Sequence, residues 1–206
     1  MGRSAEAKAG FILAGFLVVE GAWVLLNLLH NPEHFLSYLG FAPGQLGAYP
    51  GWLLAALTTA VYVLWSTRLP SVRANLVRPS WLKLLALPMA LAAGILEEAV
   101  FRRALMDHLQ GQGWGVVLQV AASALAFGLA HGIWGVFARS WRAVLGPTVV
   151  TGVLGLLLAL VYLASGRSVA ACVAAHFLID AFIEPGIALA ATRGEFAQLR
   201  MRRGRA

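Results

Sequence analysis

Long apolar segments constrain the fold of this chain more than any other feature of its sequence. Six stretches have the length of a membrane span and carry few charges, and connectors rich in proline, glycine or basic residues separate them. A helix needs about 20 mostly apolar residues to cross the hydrocarbon core of a bilayer. The predicted spans are roughly Gly10–Leu29, Tyr49–Trp65, Leu82–Phe101, Trp114–His131, Gly146–Ala164 and Ser168–Ala191.

The composition also indicates that most of the chain lies in a lipid bilayer. Hydrophobic residues make up 60% of the 206 residues, charged residues make up 12%, and the mean hydropathy is +0.76. Soluble domains carry about 25% charged residues, so this chain lacks the polar surface to cover itself in water. Backbone groups inside a bilayer must bond within their own element, which together with the length of the runs favours helices over barrel strands. We predict an all-α polytopic transmembrane helix bundle of about six spans, forming a single membrane domain over residues 1–206.

The basic residues are unevenly distributed between the two sides of the predicted bundle. Thirteen of the 16 Lys and Arg residues lie at the N-terminus, in alternate connectors and in a basic tail at about 193–206, against Arg102, Arg103 and Arg167 on the other side. The positive-inside rule therefore predicts that both termini are cytoplasmic, which requires an even number of spans. Because these charges flank apolar runs, the net charge of +7 indicates a cell-membrane protein in contact with the lipid bilayer, and no nucleic-acid partner.

Ionisable side chains inside the predicted spans are the second unusual feature. Each costs from about 2.5 kcal/mol to more than 10 kcal/mol at the bilayer centre, so a bundle keeps them where they pair or do chemistry. Glu98 precedes Arg102 by four residues, the favoured order for a helical ion pair, whereas Glu97 lies about 100° further round the helix. We predict that Arg102 neutralises Glu98 and leaves Glu97 free. The acidic residues and histidines inside the spans, together with Arg102 directly after the third, are Glu20, Glu97, Glu98, Arg102, His131, His176, Asp180 and Glu184.

These residue types suit hydrolysis inside a membrane. A carboxylate beside an imidazole can act as a general base that removes a proton from water. A second histidine with an aspartate four residues on, as in His176 and Asp180, could support a developing oxyanion. Two histidines and a glutamate would equally hold zinc with an open position. Both routes lead to cleavage of an acyl bond, and no serine or cysteine lies in a recognisable nucleophile motif.

Three short motifs give these residues a family context. EEAVFR at Glu97–Arg102 matches EExxxR, FGLAH at Phe127–His131 matches FxxxH, and HFLID at His176–Asp180 matches Hxxx(N/D). In this order, each on its own span, they resemble the motifs of the CAAX prenyl protease and bacteriocin-processing (CPBP) family of intramembrane endopeptidases. The resemblance covers about residues 82–185. It implies an enzyme that cleaves a membrane-anchored or lipid-linked peptide or protein.

The resemblance also implies the catalytic roles. Glu97 is similar to the catalytic carboxylate of the family, and His131 to its partner in activating water. His176 and Asp180 are similar to the pair that supports the oxyanion.

Five further residues are given supporting roles. The resemblance implies that Glu98 and Arg102 form a structural ion pair and that Phe127 packs near the site. Glu20, in the middle of the first span, and Glu184, one turn beyond the last motif, are candidates for lining a water-filled cavity. Pro185 and Gly186 follow Glu184 inside the predicted last span, and a proline within a helix is able to break it.

The sequence leaves the cofactor open. Members of the family have been described both as metalloproteases and as metal-free glutamate-dependent proteases. If a metal is present, its ligands would be Glu97, His131 and His176. Because none of the three shares a helix with another at the spacing of the HExxH zinc proteases, we favour a metal-free site, with zinc as the alternative.

Two other classes of function compete with an intramembrane endopeptidase. A catalytically idle family member could act as a bacteriocin-immunity factor or a membrane scaffold, but it would have no reason to keep Glu97, both histidines and Asp180 together. A proton-coupled transporter usually shows repeated halves with interrupted helices, and this chain shows no internal repeat. The endopeptidase is therefore the preferred hypothesis.

Overall fold

In the computed structural model, residues 2–133 and 144–196 are described, and they form helices joined by short connectors, with no strand in those ranges. The predicted all-α class is confirmed. The elements are α1 (Gly2–His30), α2 (Pro32–Tyr38), α3 (Tyr49–Ser66), α4 (Pro70–Asn75), α5 (Trp81–Glu98), a π-helical turn (Ala99–Ala104), α6 (Leu105–Gly111), α7 (Val116–Ala130), α8 (Leu145–Ala164) and α9 (Ala170–Arg193).

The bundle has the helices that a polytopic membrane protein needs. Within residues 2–133 and 144–196, four continuous helical segments are long and apolar enough to cross a membrane: Ser4–His30, Trp81–Gly111, Leu145–Ala164 and Ala170–Arg193. The second of these joins α5, the π turn and α6 end to end. With α3, of 18 residues, and α7, of 15 residues, they make the predicted six. The basic residues Arg139 and Arg142, and most of the basic tail, lie outside the described residues.

The outer faces of these helices are apolar. Phe11 is 79% exposed, Leu84 is 72% exposed and Val117 is 80% exposed. Exposed apolar surface on this scale marks a membrane-facing region. The charged side chains of the motifs lie inside the bundle, where α9 packs against α1, α3, α4, α5 and α8.

The contact between α5 and α9 is unusually close at Gly94. A Cβ atom added there would lie 3.3 Å from the carbonyl oxygen of Val173 and 3.6 Å from the Cβ of His176. Membrane helices use small residues where their backbones approach each other. Gly94 therefore lets α5 present Glu97 and Glu98, one turn further on, directly to His176.

The last helix does not break at Pro185: α9 runs on to Arg193, close to the predicted end of the span at Ala191. Proline lacks an N–H, so it cannot bond the carbonyl of Ala181 four residues earlier. The ammonium group of Lys83, on α5, donates to the carbonyl oxygens of Ala181 at 3.0 Å and Phe182 at 3.1 Å. A neighbouring group that satisfies the freed carbonyls is what allows a proline inside a membrane helix.

This bridge predicts an effect on stability. Lys83→Met should lower the free energy of unfolding by about 1–3 kcal/mol, because it leaves carbonyl acceptors of a membrane helix without a hydrogen-bond partner. The measurement is the melting temperature of the detergent-purified protein. Lys8→Met, which removes the same charge from an exposed position on α1, serves as the control. Equal melting temperatures for the two variants would contradict the role given to Lys83.

Candidate active site

Side chains from three helices meet around one carboxylate in the interior of the bundle. An oxygen of Glu97, on α5, lies 3.6 Å from Nε2 of His131 at the end of α7 and 3.8 Å from Nε2 of His176 on α9. A carboxylate oxygen of Asp180 lies 3.3 Å from the same nitrogen of His176. The structure thus brings together the four residues for which the sequence suggests catalytic roles.

Glu98 and Arg102 form a fully buried ion pair, with 2.9 Å between Oε2 and Nε. A second nitrogen of Arg102 donates to the Ser123 hydroxyl at 3.0 Å, and that hydroxyl donates to the carbonyl of Phe101. The other oxygen of Glu98 lies 2.8 Å from Nδ1 of His176. The ion pair therefore also holds one of the site histidines in place.

His176 is held at both ring nitrogens. Its Nδ1 faces Glu98 and its Nε2 faces Asp180, and its side chain is only 2% exposed. Since a carboxylate can only accept, the proton on Nδ1 is donated to Glu98. A second proton on Nε2 would be donated to Asp180 or to a ligand oxygen. This arrangement suits a histidine that presents an N–H to a developing negative charge.

His131 is oriented differently. Its Nδ1 lies 2.9 Å from the carbonyl oxygen of Phe127, which can only accept, so the proton sits on Nδ1 and the lone pair of Nε2 is directed towards Glu97. The ring of Phe127 stacks on His131, with 4.5 Å between centroids, and also contacts His176 and the guanidinium of Arg102. Phe127 is fully buried and packs against both histidines.

The Glu97 carboxylate is not satisfied by these neighbours. Its inward oxygen is buried and has no hydrogen-bond partner in residues 2–133 and 144–196, because 3.6 Å and 3.8 Å exceed the length of a direct hydrogen bond. A water molecule placed beside the Glu97 carboxylate and a histidine ring could form a hydrogen bond with each of them. A water hydrogen-bonded to both Glu97 and His131 would satisfy this oxygen.

Two further acids surround this group. Glu20, on α1, is 8% exposed and interacts electrostatically with Glu97, Asp180 and His176. Glu184 interacts with the same three residues and with Glu20. Each has one buried oxygen without a hydrogen-bond partner in the part of the chain that is described. The structure therefore places both candidate cavity residues beside the site, and α1 contributes to it.

The side chains as placed do not form a metal centre. Among the described residues, no group of three His, Cys, Asp or Glu side chains is arranged to hold a metal ion. Of the candidate ligands Glu97, His131 and His176, the last directs its Nε2 at Asp180 and its Nδ1 at Glu98. The residues therefore do not fit a bound metal in this arrangement.

Two features of the site are absent from the sequence-based prediction. The backbone widens into a π-helical turn over Ala99–Ala104, within the EExxxR motif, as often happens at functional sites. Ser123, which bonds Arg102, was also missed. Its position four residues before Phe127, on the same face of α7, was the available signal.

A family model described as type II CAAX prenyl endopeptidase Rce1-like matches residues 79–182. The matched segment is about half of the chain and contains all three motifs. No curated protein and no solved structure matches the chain. With its apolar spans and its matched motifs, the chain is an integral membrane protein that belongs to the Rce1-like family of type II CAAX prenyl endopeptidases.

Proposed function

We propose that this protein is an intramembrane endopeptidase that hydrolyses a peptide bond of a membrane-anchored or lipid-linked substrate with a water molecule activated by Glu97 and His131. The observation that carries the proposal is that two adjacent glutamates are paired differently. Glu98 is neutralised by Arg102 at 2.9 Å, whereas an oxygen of Glu97 is unbonded and faces the lone pair of His131. One carboxylate is thereby left free to act as a base.

The reaction follows from the hydrogen-bonding roles of these groups. A water bound between Glu97 and His131 donates one hydrogen to each, and Glu97 takes a proton as the water oxygen attacks the carbonyl carbon. The electron pair of the C=O bond moves to oxygen, where the Nε2 proton of His176 stabilises the negative charge. Collapse of the tetrahedral intermediate breaks the C–N bond. The proton on Glu97 then passes to the leaving nitrogen, and the carboxylate is regenerated.

The remaining groups position this machinery. Asp180 and Glu98 hold the His176 ring from opposite sides, and Phe127 fixes the plane of His131 by stacking. The position of these residues among apolar membrane-length helices supports a substrate that can enter the bilayer. The family name adds a more specific proposal, that the substrate is a prenylated peptide cut near its C-terminus.

The direct test is cleavage of a fluorogenic prenylated peptide by the purified protein in proteoliposomes, with the unprenylated peptide in parallel. We expect faster cleavage of the prenylated form and full activity after treatment with a strong chelator. Activity that disappears on chelation and returns with zinc would contradict the metal-free mechanism. An absence of cleavage of both peptides, and of lipid-linked bacterial peptides tested next, would contradict the endopeptidase assignment.

The orientation of the chain is a separate proposal. The thirteen-to-three bias of basic residues supports a cytoplasmic location for both termini. Reporter fusions at Met1 and Ala206 should both give cytoplasmic signals. Signals from opposite sides would require an odd number of spans.

A further inference from the structure

A polar cavity of about 310 Å³ lies apart from the catalytic group, between the α2–α3 connector and the α8–α9 connector. Its wall includes Tyr38, Arg103, Arg167 and three serines. The proposed reaction uses none of these residues. Arg102 and Arg103 are consecutive residues of the π turn. The side chain of Arg102 lies beside the catalytic group, whereas that of Arg103 lines this cavity.

The charge of the cavity is not balanced. Among the described residues that line it, the ionised side chains are both arginines and none is an acid. Asp107, behind the wall, pairs with Arg167 at 2.6 Å and with Arg103 at 3.4 Å, and it also accepts from the hydroxyl of Tyr162. One carboxylate thus serves two guanidinium groups. A net positive charge is left facing the cavity.

The side chain of Arg167 is held at the cavity wall by its contacts. Its φ of 65° lies in the left-handed region that side chains other than glycine rarely adopt, and such backbone strain concentrates at functional sites. Its two terminal nitrogens are fixed by Asp107 and by the side-chain oxygen of Gln119. The guanidinium is therefore pre-oriented at the wall. Pre-orientation reduces the entropy lost when a ligand binds.

The surroundings indicate the source of an anionic ligand. Leu36, Phe41 and Leu46, in and beside the connector that forms the cavity wall, are 43%, 38% and 50% exposed. Apolar side chains around a basic cavity at the end of a membrane bundle suit a lipid, whose chains lie along them while its phosphate enters the cavity. Two arginines also offer more N–H donors than the two oxygens of a carboxylate need. A phosphate group has more acceptor oxygens and can bond both guanidinium groups.

We propose that this cavity binds a phosphate group between Arg103 and Arg167, and that the phosphate belongs to the headgroup of an anionic lipid. The same chemistry could be supplied by free phosphate, so the experiment separates the two sources. The proposal does not depend on the proteolytic function.

The test is native mass spectrometry of the detergent-purified protein titrated with dioctanoyl phosphatidylglycerol, with inorganic phosphate as competitor. We expect one tightly bound lipid, and about tenfold weaker binding in Arg103→Gln, which loses a charge-assisted bond but keeps the pair between Arg167 and Asp107. Ser37→Asp, at a half-buried position in the wall, should weaken binding by repulsion. Arg68→Gln, exposed at the other end of α3, is the matched control.

Each outcome bears on the proposal. Lipid that stays bound in excess inorganic phosphate identifies the headgroup as the source, and lipid that is displaced supports the site with free phosphate as its ligand. Equal affinity in the parent protein, Arg103→Gln and Ser37→Asp would overturn the proposal. So would an equal loss in Arg68→Gln, because it would show a general dependence on charge. Displacement by a peptide carboxylate but not by phosphate would also overturn it.

Discussion

Replacing Glu97 with glutamine is expected to abolish peptide cleavage while leaving the protein folded. The amide keeps the size of the side chain but cannot take a proton from water, and general base catalysis contributes about 10²–10⁴-fold to a rate. The side chain is 19% exposed and its inward oxygen bonds no described residue, so little stability depends on its charge. We therefore expect a loss of at least about a hundredfold in the cleavage rate with an unchanged melting temperature.

The neighbouring glutamate supplies the sharpest comparison. Glu98→Gln makes the same chemical change one residue away, in the buried pair with Arg102. It should lower the melting temperature, with a smaller effect on the cleavage rate of the protein that remains folded. Glu33→Gln, exposed on α2, should change neither property. Turnover by Glu97→Gln close to that of the parent protein would mean that another group activates the water.

Local spacing in the sequence accounts for the part of the site that lies on single helices. The membrane class follows from the length of the apolar runs, since the bilayer fixes the length of a span. The pairing of Glu98 with Arg102 follows from their spacing of four residues, because such side chains share a helix face. The proximity of His176 and Asp180, 3.3 Å apart, follows from the same geometry.

The contacts between helices could not be predicted in this way. The bond between His176 and Glu98 joins residues 78 positions apart, and no periodicity specifies which helix faces meet. Where α9 continues through Pro185, Lys83 from a different helix donates to the carbonyl of Ala181, a contact that the local rule for proline does not include. The small residues before the EExxxR motif, Gly94 among them, did carry a signal for close packing.

The contacts of Glu98 show how Arg102 affects the stability of the protein. Glu98 accepts from both Arg102 and His176, and all three side chains are at most 2% exposed. Buried charges are costly unless they are paired and bonded, and a buried pair is not a large net source of stability. Its importance appears when one member is removed, because the other charge is then stranded in a medium that cannot solvate it.

Arg102→Met should therefore destabilise the protein by about 3–5 kcal/mol, the cost of breaking a buried pair, and this should appear as a large drop in melting temperature and in yield. Arg68→Met, exposed beside Trp65, is the matched control and should behave as the parent protein. The double variant Glu98→Gln/Arg102→Met should regain part of the lost stability, because it strands no charge and glutamine still offers an oxygen to Nδ1 of His176. If the double variant is no more stable than Arg102→Met, stranded charge is not the cause of the instability. A fully stable but inactive Arg102→Met would instead make Arg102 part of the chemistry.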